Sequence, residues 1–195
     1  MADIEIPVAE ELEELRGKRF TRGVALTTAI FAVLLAITSL GGNNATKEMM
    51  LSQQQSADQW AFYQSKAMRE HLYRSQKMRL EVDLIERSAS LKPETKRAYE
   101  ELLSTFKEEE GRYKGEKKKI EDEARRLEET RDRNMSKDPY FDYAEVMLQI
   151  AIVMASISIL ASSRQIFVFA IVCAIAGSVF MVNGYLLIFR IPFFH

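Results

Sequence analysis

Three stretches of the chain contain no Asp, Glu, Lys or Arg: Gly23 to Thr46, Val146 to Ser163 and Gln165 to Phe189. A helix needs roughly 20 mostly apolar residues to cross the hydrocarbon of a bilayer. The first and third stretches meet that length, and Tyr143 and Ala144 extend the second. Between the first and second lies a segment in which charged and apolar residues alternate at helical spacing. The pattern predicts an all-α membrane protein with three transmembrane helices and a long antiparallel, coiled-coil-like helical hairpin between spans one and two. The segments are an N-terminal tail (1–22), span one (23–42), the hairpin region (43–142, with arms at about 44–89 and 93–134), span two (143–163) and span three (165–190).

Breakers and periodicity define the hairpin. Gly41-Gly42 is expected to end the first span, with Asn43 or Asn44 capping a new helix. No Pro or Gly follows until Lys92-Pro93 interrupts the run, and proline disfavours helix in the residue before it. The two arms are nearly equal in length, so a tip at Ser90–Pro93 would return the chain to the membrane. Tyr99, Leu103, Phe106, Glu110, Tyr113, Lys117, Ile120, Ala124 and Leu127 stand alternately four and three apart, a heptad seam with two charged positions. The first arm has a looser stripe: Met50, Ala57, Trp60, Gln64, Ala67, His71, Met78 and Ile85. Phe62, Met68, Leu72, Leu80 and Leu84 lie off it. Two helices alone would leave these wet, which points to self-association of hairpins. The residues expected to pack the hairpin are Trp60, Tyr63, Leu103, Phe106, Ile120 and Leu127. Trp60 lies about 16 residues beyond Asn44, roughly 24 Å along a helix. It is expected in the hairpin or between protomers, or in the headgroups if the glycine pair bends the arm flat. Gly111 and Gly115 mark either a close helix crossing or a weak spot in a solvated helix. Before span one, Pro7 and the residues after it read as a short helix with Val8, Leu12 and Leu15 on one side, or as a solvated arm.

Charge placement suggests an orientation. Arg16, Lys18, Arg19 and Arg22 precede span one, and Arg164 sits in the short turn after span two. The positive-inside rule then puts the N-terminus in the cytoplasm and the hairpin outside it. By the same count the C-terminus, at Phe193, Phe194 and His195, also lies outside. The apolar run of span one is about 18 residues, longer than the 7–15 of a signal-peptide core, and it reads as an uncleaved anchor. Lys and Arg balance Asp and Glu between Asn43 and Asp142, 21 of each. Such interspersed charge builds no basic face for phosphate, so no nucleic-acid partner is expected. The expected partners are membrane lipid, further copies of the chain and an unidentified protein at the hairpin.

Little points to chemistry. Cys173 is the single cysteine, His71 has no convergent metal ligands in sequence, and no nucleophile or phosphate-loop motif occurs. No catalytic residue, metal or cofactor is expected. Span two carries a polar stripe, Asp142, Glu145, Gln149, Ser156 and Ser163, which is either the wall of a pore or a helix–helix contact. Small residues at Ala151, Ala155, Ser158 and Ser162, and at Ala170, Ala174, Gly177 and Gly184, favour close packing of spans two and three. Asn183 is expected to hydrogen-bond across helices.

The segments GGNNAT, SADQWAFYQSKAMREHLY and FDYAEVMLQIAIVMASISIL resemble a bacterial membrane family known as domain of unknown function 4337. QWAFYQSK and AEVMLQIAI are the specific parts, and the hairpin tip and second arm depart from the pattern. The resemblance covers nearly the whole chain. It implies a bacterial inner-membrane, multi-pass protein of three spans and supplies no activity. The function expected from the residues is a non-enzymatic membrane scaffold or interaction protein that self-associates through its spans and its periplasmic hairpin. The alternative is a channel or channel subunit with span two lining the pore.

Overall fold

The computed structural model describes residues 9–87 and 89–189, with backbone alone for 9–15. The N-terminal tail, read as a short helix or a solvated arm, is helical in backbone from Ala9 and continuous with span one, but the faces of Val8, Leu12 and Leu15 lie outside the described residues, as do Arg190 and the C-terminal Phe193, Phe194 and His195. Four helices account for almost all of the rest: α1 (Ala9–Arg87), α2 (Pro93–Met135), α3 (Asp138–Leu160) and α4 (Arg164–Leu186). No strand occurs among the described residues. Three stretches, within α1, within the run Pro93–Leu160 and in α4, are long and apolar enough to cross a membrane. The helices form two compact units. One comprises residues up to Glu48 and from Arg133 onward, and the other is Met49–Asp132.

The first unit is a three-helix cluster of the N-terminal part of α1, α3 and α4. Its core gathers Val24 and Phe31 of α1, Leu148, Ala151 and Ala155 of α3, and Ala170, Cys173 and Ala174 of α4. Small residues let α3 and α4 close up: a Cβ added at Gly177 would lie 3.0 Å from the Ala144 carbonyl oxygen and 3.0 Å from Leu148 Cγ. Hydroxyls within the apolar stretches find partners on their own helix. Thr28 donates to the Val24 carbonyl (2.9 Å), Thr38 to Leu34 (2.8 Å) and Ser158 to Ala155 (2.6 Å). The outer surface remains apolar, with Leu26, Ile30, Val33, Val153, Val172 and Val179 exposed.

The helix break expected at Gly41-Gly42 does not occur. α1 runs through both glycines, and neither Asn43 nor Asn44 caps a new helix. The glycines serve close packing instead. A Cβ on Gly41 would stand 2.6 Å from Phe141 Cε1 and 2.6 Å from Tyr185 Oη, and one on Gly42 would stand 3.2 Å from Phe141 Cβ. The turn after α3 is also shorter than expected, since Arg164 already begins α4.

In the second unit α1 meets α2 through a seam that the sequence reading misplaced. Ser52, Ser56, Gln59, Tyr63, Lys66, Glu70, Tyr73, Lys77, Leu80 and Leu84 are covered positions of α1, alternately four and three apart, and Trp60 and Ala67 of the looser stripe are half-buried beside them. Met50, Ala57, Gln64, His71, Met78 and Ile85, from the looser stripe, are exposed. The reason is physical: α2 presents Glu110, Glu116 and Lys117 to the contact, so α1 answers them with Lys77, Lys66 and Glu70. On α2, Tyr113 and Ala124 are buried, and Leu103, Phe106, Ile120 and Leu127 are half-buried. Gly111 and Gly115 have nothing within contact range of an added Cβ, so neither marks a close crossing among the described residues.

Candidate functional site

Two regions of this chain carry polar groups in unusual settings, one in each unit. In the first unit an aromatic and acidic knot ties α1, α3 and α4 together beside the polar end of the apolar stretches. Phe141 is buried and packs edge-on against Tyr185, ring centres 5.0 Å apart. The Tyr185 hydroxyl donates to the Ile37 carbonyl at 3.0 Å. Ser39 donates to the Glu145 carboxylate at 3.0 Å, and Thr46 donates to Asp138 at 2.8 Å. Phe141 can enter this space because Gly41, Gly42 and Gly184 carry no side chain there.

The polar stripe of α3 divides at this knot. Glu145 is half-buried and held by Ser39, with the Gln149 amide 3.5 Å away. Asp142, Gln149 and Ser156 are exposed on the outside of the three-helix cluster, and the Ser156 hydroxyl turns back to the Ile152 carbonyl at 3.0 Å. Ser163 leaves the stripe and occupies the N-cap position of α4. Asn183 is buried, but its side chain does not bond across helices as expected. Its amide donates to the Phe189 carbonyl (2.8 Å) and its oxygen accepts from the Phe189 amide (2.9 Å), closing the chain reversal after α4. That reversal follows a left-handed Leu187 (φ 49°), where the backbone needs an outside partner. The Tyr140 hydroxyl of α3 donates to the same carbonyl at 2.9 Å.

In the second unit the contact between α1 and α2 is a ladder of charged pairs and rings. Lys66 meets Glu116 at 2.6 Å, Lys77 meets Glu110 at 2.5 Å and Lys117 meets Glu70 at 2.6 Å. The hydrogen bond from Lys77 holds the Glu110 carboxyl below its ordinary range, and the bond to Glu70 raises Lys117. Tyr73 stacks on Tyr113 with centres 5.6 Å apart, and Lys117 sits over the Tyr63 ring at 5.5 Å. Trp60 is half-buried, edge-on to Tyr63 at 5.3 Å, and its indole N–H donates to Glu128 at 2.9 Å. Glu110 and Lys117 already belong to the seam read on α2, whereas Glu116 and the α1 rungs Lys66, Glu70 and Lys77 escape the sequence reading because only their spacing, not their composition, marks them as a contact. Among the described residues no cluster of three or more His, Cys, Asp or Glu is placed to hold a metal ion.

No curated protein and no solved structure matches the chain. The family model described as Domain of unknown function (DUF4337) matches residues 20–187, which takes in all three apolar stretches and the whole charged ladder, and the chain therefore belongs to that family.

Proposed function

We propose that the protein is a non-enzymatic scaffold of the bacterial inner membrane that self-associates and displays a helical hairpin to a protein partner. Apolar exposure on the outside of the first unit supports a bilayer setting, where such side chains contact lipid rather than water. An antiparallel hairpin is supported by the order of its contacts: Ser56 with Ala124, Lys66 with Glu116 and Lys77 with Glu110, the α2 number falling as the α1 number rises. The observation that carries self-association lies on the same unit. Phe62, Met68 and Leu72 remain 59%, 75% and 54% exposed on a hairpin otherwise rich in charge. Full burial of such a side chain is worth about 1.5–3 kcal/mol, and α2 does not supply it. Light scattering of the detergent-solubilised protein is therefore expected to give a protein mass of at least twice 22.4 kDa. A mass of one chain would overturn self-association.

The basic residues Arg16, Lys18, Arg19, Arg22 and Arg164 support a cytoplasmic N-terminus and a periplasmic hairpin. With Cys173 replaced by alanine, a Ser90→Cys variant should react with an impermeant maleimide in intact spheroplasts. Labelling only after lysis would reverse the orientation.

A second reading is favoured by one observation. Asp142, Gln149 and Ser156 are exposed on the outside of the three-helix cluster, where hydrocarbon would offer them no partner. In an oligomer they would face neighbouring copies, either as a packed polar contact or around a wet axis. Ion flux through proteoliposomes that is lost in Gln149→Leu would favour a channel over a scaffold.

A further inference from the structure

Resting on the membrane setting proposed above, we infer that the end of the three-helix cluster where α4 begins is a basic collar that binds the headgroups of anionic phospholipids. α1 and α4 run in parallel in this unit. Phe20 meets Phe167 with ring centres 5.9 Å apart, and farther along the Tyr185 hydroxyl meets the Ile37 carbonyl. Both rings of the first contact pack against the buried core. That contact brings the basic turn of α1 level with the start of α4. Arg16 and Arg19 precede Phe20 by four and one positions, and Arg164 precedes Phe167 by three. At 1.5 Å per residue these three stand within roughly 5 Å of one level along the helices. Lys18 lies between the first two in sequence, and Arg22 follows within the next turn.

These cations lack an answer within the cluster. Arg16, Lys18, Arg19, Arg22 and Arg164 are all exposed, and no Asp or Glu occurs from Arg16 to Thr46 or from Val146 to Phe189. Among the described residues Arg16, Arg19, Arg22 and Arg164 make no ion pair, whereas Arg112, Arg125, Arg126 and Arg131 of α2 each do. The last carbonyls of α3 already accept from the turn that follows: Ile157 from Ala161 (2.9 Å), Ser158 from Ser163 (3.1 Å) and Ile159 from Ser162 (3.2 Å). Glu10, Glu11, Glu13 and Glu14 lie earlier on α1, farther from span one than every arginine of the collar.

The neighbouring surface identifies the anion. A guanidinium fork matches phosphate oxygens in pairs. About one turn beyond the collar the same two helices expose Leu26 and Ile30 on α1 and Val168 and Phe169 on α4. A basic tier that borders an apolar surface complements a molecule with an anionic head and acyl tails, and a soluble phosphate would use only half of it. The opposite end of the cluster has the reverse sign, since Glu48, Asp138, Asp142 and Glu145 outnumber Lys47 and Lys137.

Two tryptophan probes in the full chain test this, each the sole tryptophan in a Trp60→Phe background and reconstituted in phosphatidylcholine vesicles that contain phosphatidylglycerol. Gln165→Trp sits in the collar and Tyr143→Trp at the opposite end, and both positions are exposed. Quenching by brominated phosphatidylglycerol, set against quenching by brominated phosphatidylcholine, should show the anionic lipid enriched at least about threefold at 165 and not at 143, given that one cation near an anionic surface is worth about fivefold. The preference at 165 should fall in the double variant Arg19→Gln, Arg164→Gln and at high salt, and should persist in Arg19→Lys, Arg164→Lys. Equal quenching by the two lipids at 165, or the same preference at both positions, overturns the collar and leaves the membrane setting standing. Loss of the preference when millimolar inorganic phosphate replaces chloride at constant ionic strength also overturns it, in favour of a soluble phosphate. If neither lipid quenches either probe, the membrane setting falls with the collar.

Discussion

Replacing Lys117 with methionine should weaken the pairing of α1 with α2 by about 3 kcal/mol, the lower end of the cost of leaving a buried charge without its partner. Glu70 is 6% exposed, and its carboxylate lies 2.6 Å from the Lys117 ammonium. Methionine keeps most of the stem that packs beside Tyr63 and removes the charge. The carboxylate is then left in a site that water barely reaches. The double variant Glu70→Leu, Lys117→Met should recover most of the loss, because two apolar side chains of similar volume need no desolvation. Trp60 is the only tryptophan and sits in the same contact. Its fluorescence during urea unfolding of the detergent-solubilised chain reads the effect directly. A loss under about 1 kcal/mol, the range of solvated surface pairs, would mean that the ladder is wet and that the rings hold the hairpin. The pH dependence has a definite sign. Lys117 is raised by its bond to Glu70, so its contribution is complete below the unfolded lysine value of about 10.4 and is lost only as pH rises through the higher folded value. Glu110 is lowered by Lys77, so its contribution is present above the unfolded glutamate value and is lost as pH falls through the lower folded one. The ladder is therefore intact across the neutral range.

The all-helical character and the three long apolar stretches are legible in the sequence because absence of charge over some twenty residues has one dominant physical meaning. On α2 the periodicity is carried by tyrosine, leucine, phenylalanine and isoleucine, the residues that hydrophobic pattern reading weighs most. α1 misleads the same procedure. Its inner seam is spelled by Ser52, Ser56, Lys66, Glu70 and Lys77, and their partners lie far along the chain, 33 residues away for Lys77 with Glu110 and 68 for Ser56 with Ala124. Met50, Phe62, Met68, Leu72, Met78 and Ile85 meanwhile stay exposed. Long stems explain part of this, since lysine can cover apolar surface while its head finds a carboxylate at the edge. Asn183 shows a different limit. A polar residue in an apolar stretch signals that a partner exists, but its sequence neighbours cannot say that the partner is the backbone of Phe189, brought within reach by a left-handed turn at Leu187. Spacing likewise places Asp142, Gln149 and Ser156 on one face of α3 without saying that this face turns away from α1 and α4.

Gly41 is where the meaning of a residue changes most between sequence and structure, and it yields the sharpest test. A glycine pair at the end of an apolar run ordinarily reads as a helix terminus, yet α1 continues and the pair admits Phe141. A Cβ at Gly41 would lie 2.6 Å from the Phe141 ring and 2.6 Å from the Tyr185 hydroxyl, closer than any real Cβ contact. The Phe141 ring has no solvent to withdraw into. Phe141 is 3% exposed and is bounded on its other side by Gly184, where an added Cβ would also lie only 3.1 Å away. Tyr185 is 46% exposed and can swing outward only by giving up its bond to the Ile37 carbonyl. Gly41→Leu must therefore separate α1 from α3 and α4 locally, loosening the Ser39–Glu145 and Thr46–Asp138 bonds as well. Overpacking costs about 1–3 kcal/mol and sometimes more, and a side chain this long belongs at the upper end. Gly41→Ala should cost less, because better helix propensity returns about 1 kcal/mol. Gly111→Ala supplies the matched control: it has open space around the added methyl, so only the propensity gain remains and the variant should be stabilised. Thermal unfolding of the three variants in one detergent should give opposite signs, with Gly41→Leu melting several degrees lower and Gly111→Ala slightly higher. If Gly41→Leu melts with the wild type, then Phe141 is not held against α1, and the knot that joins the three apolar helices is not a fixed contact.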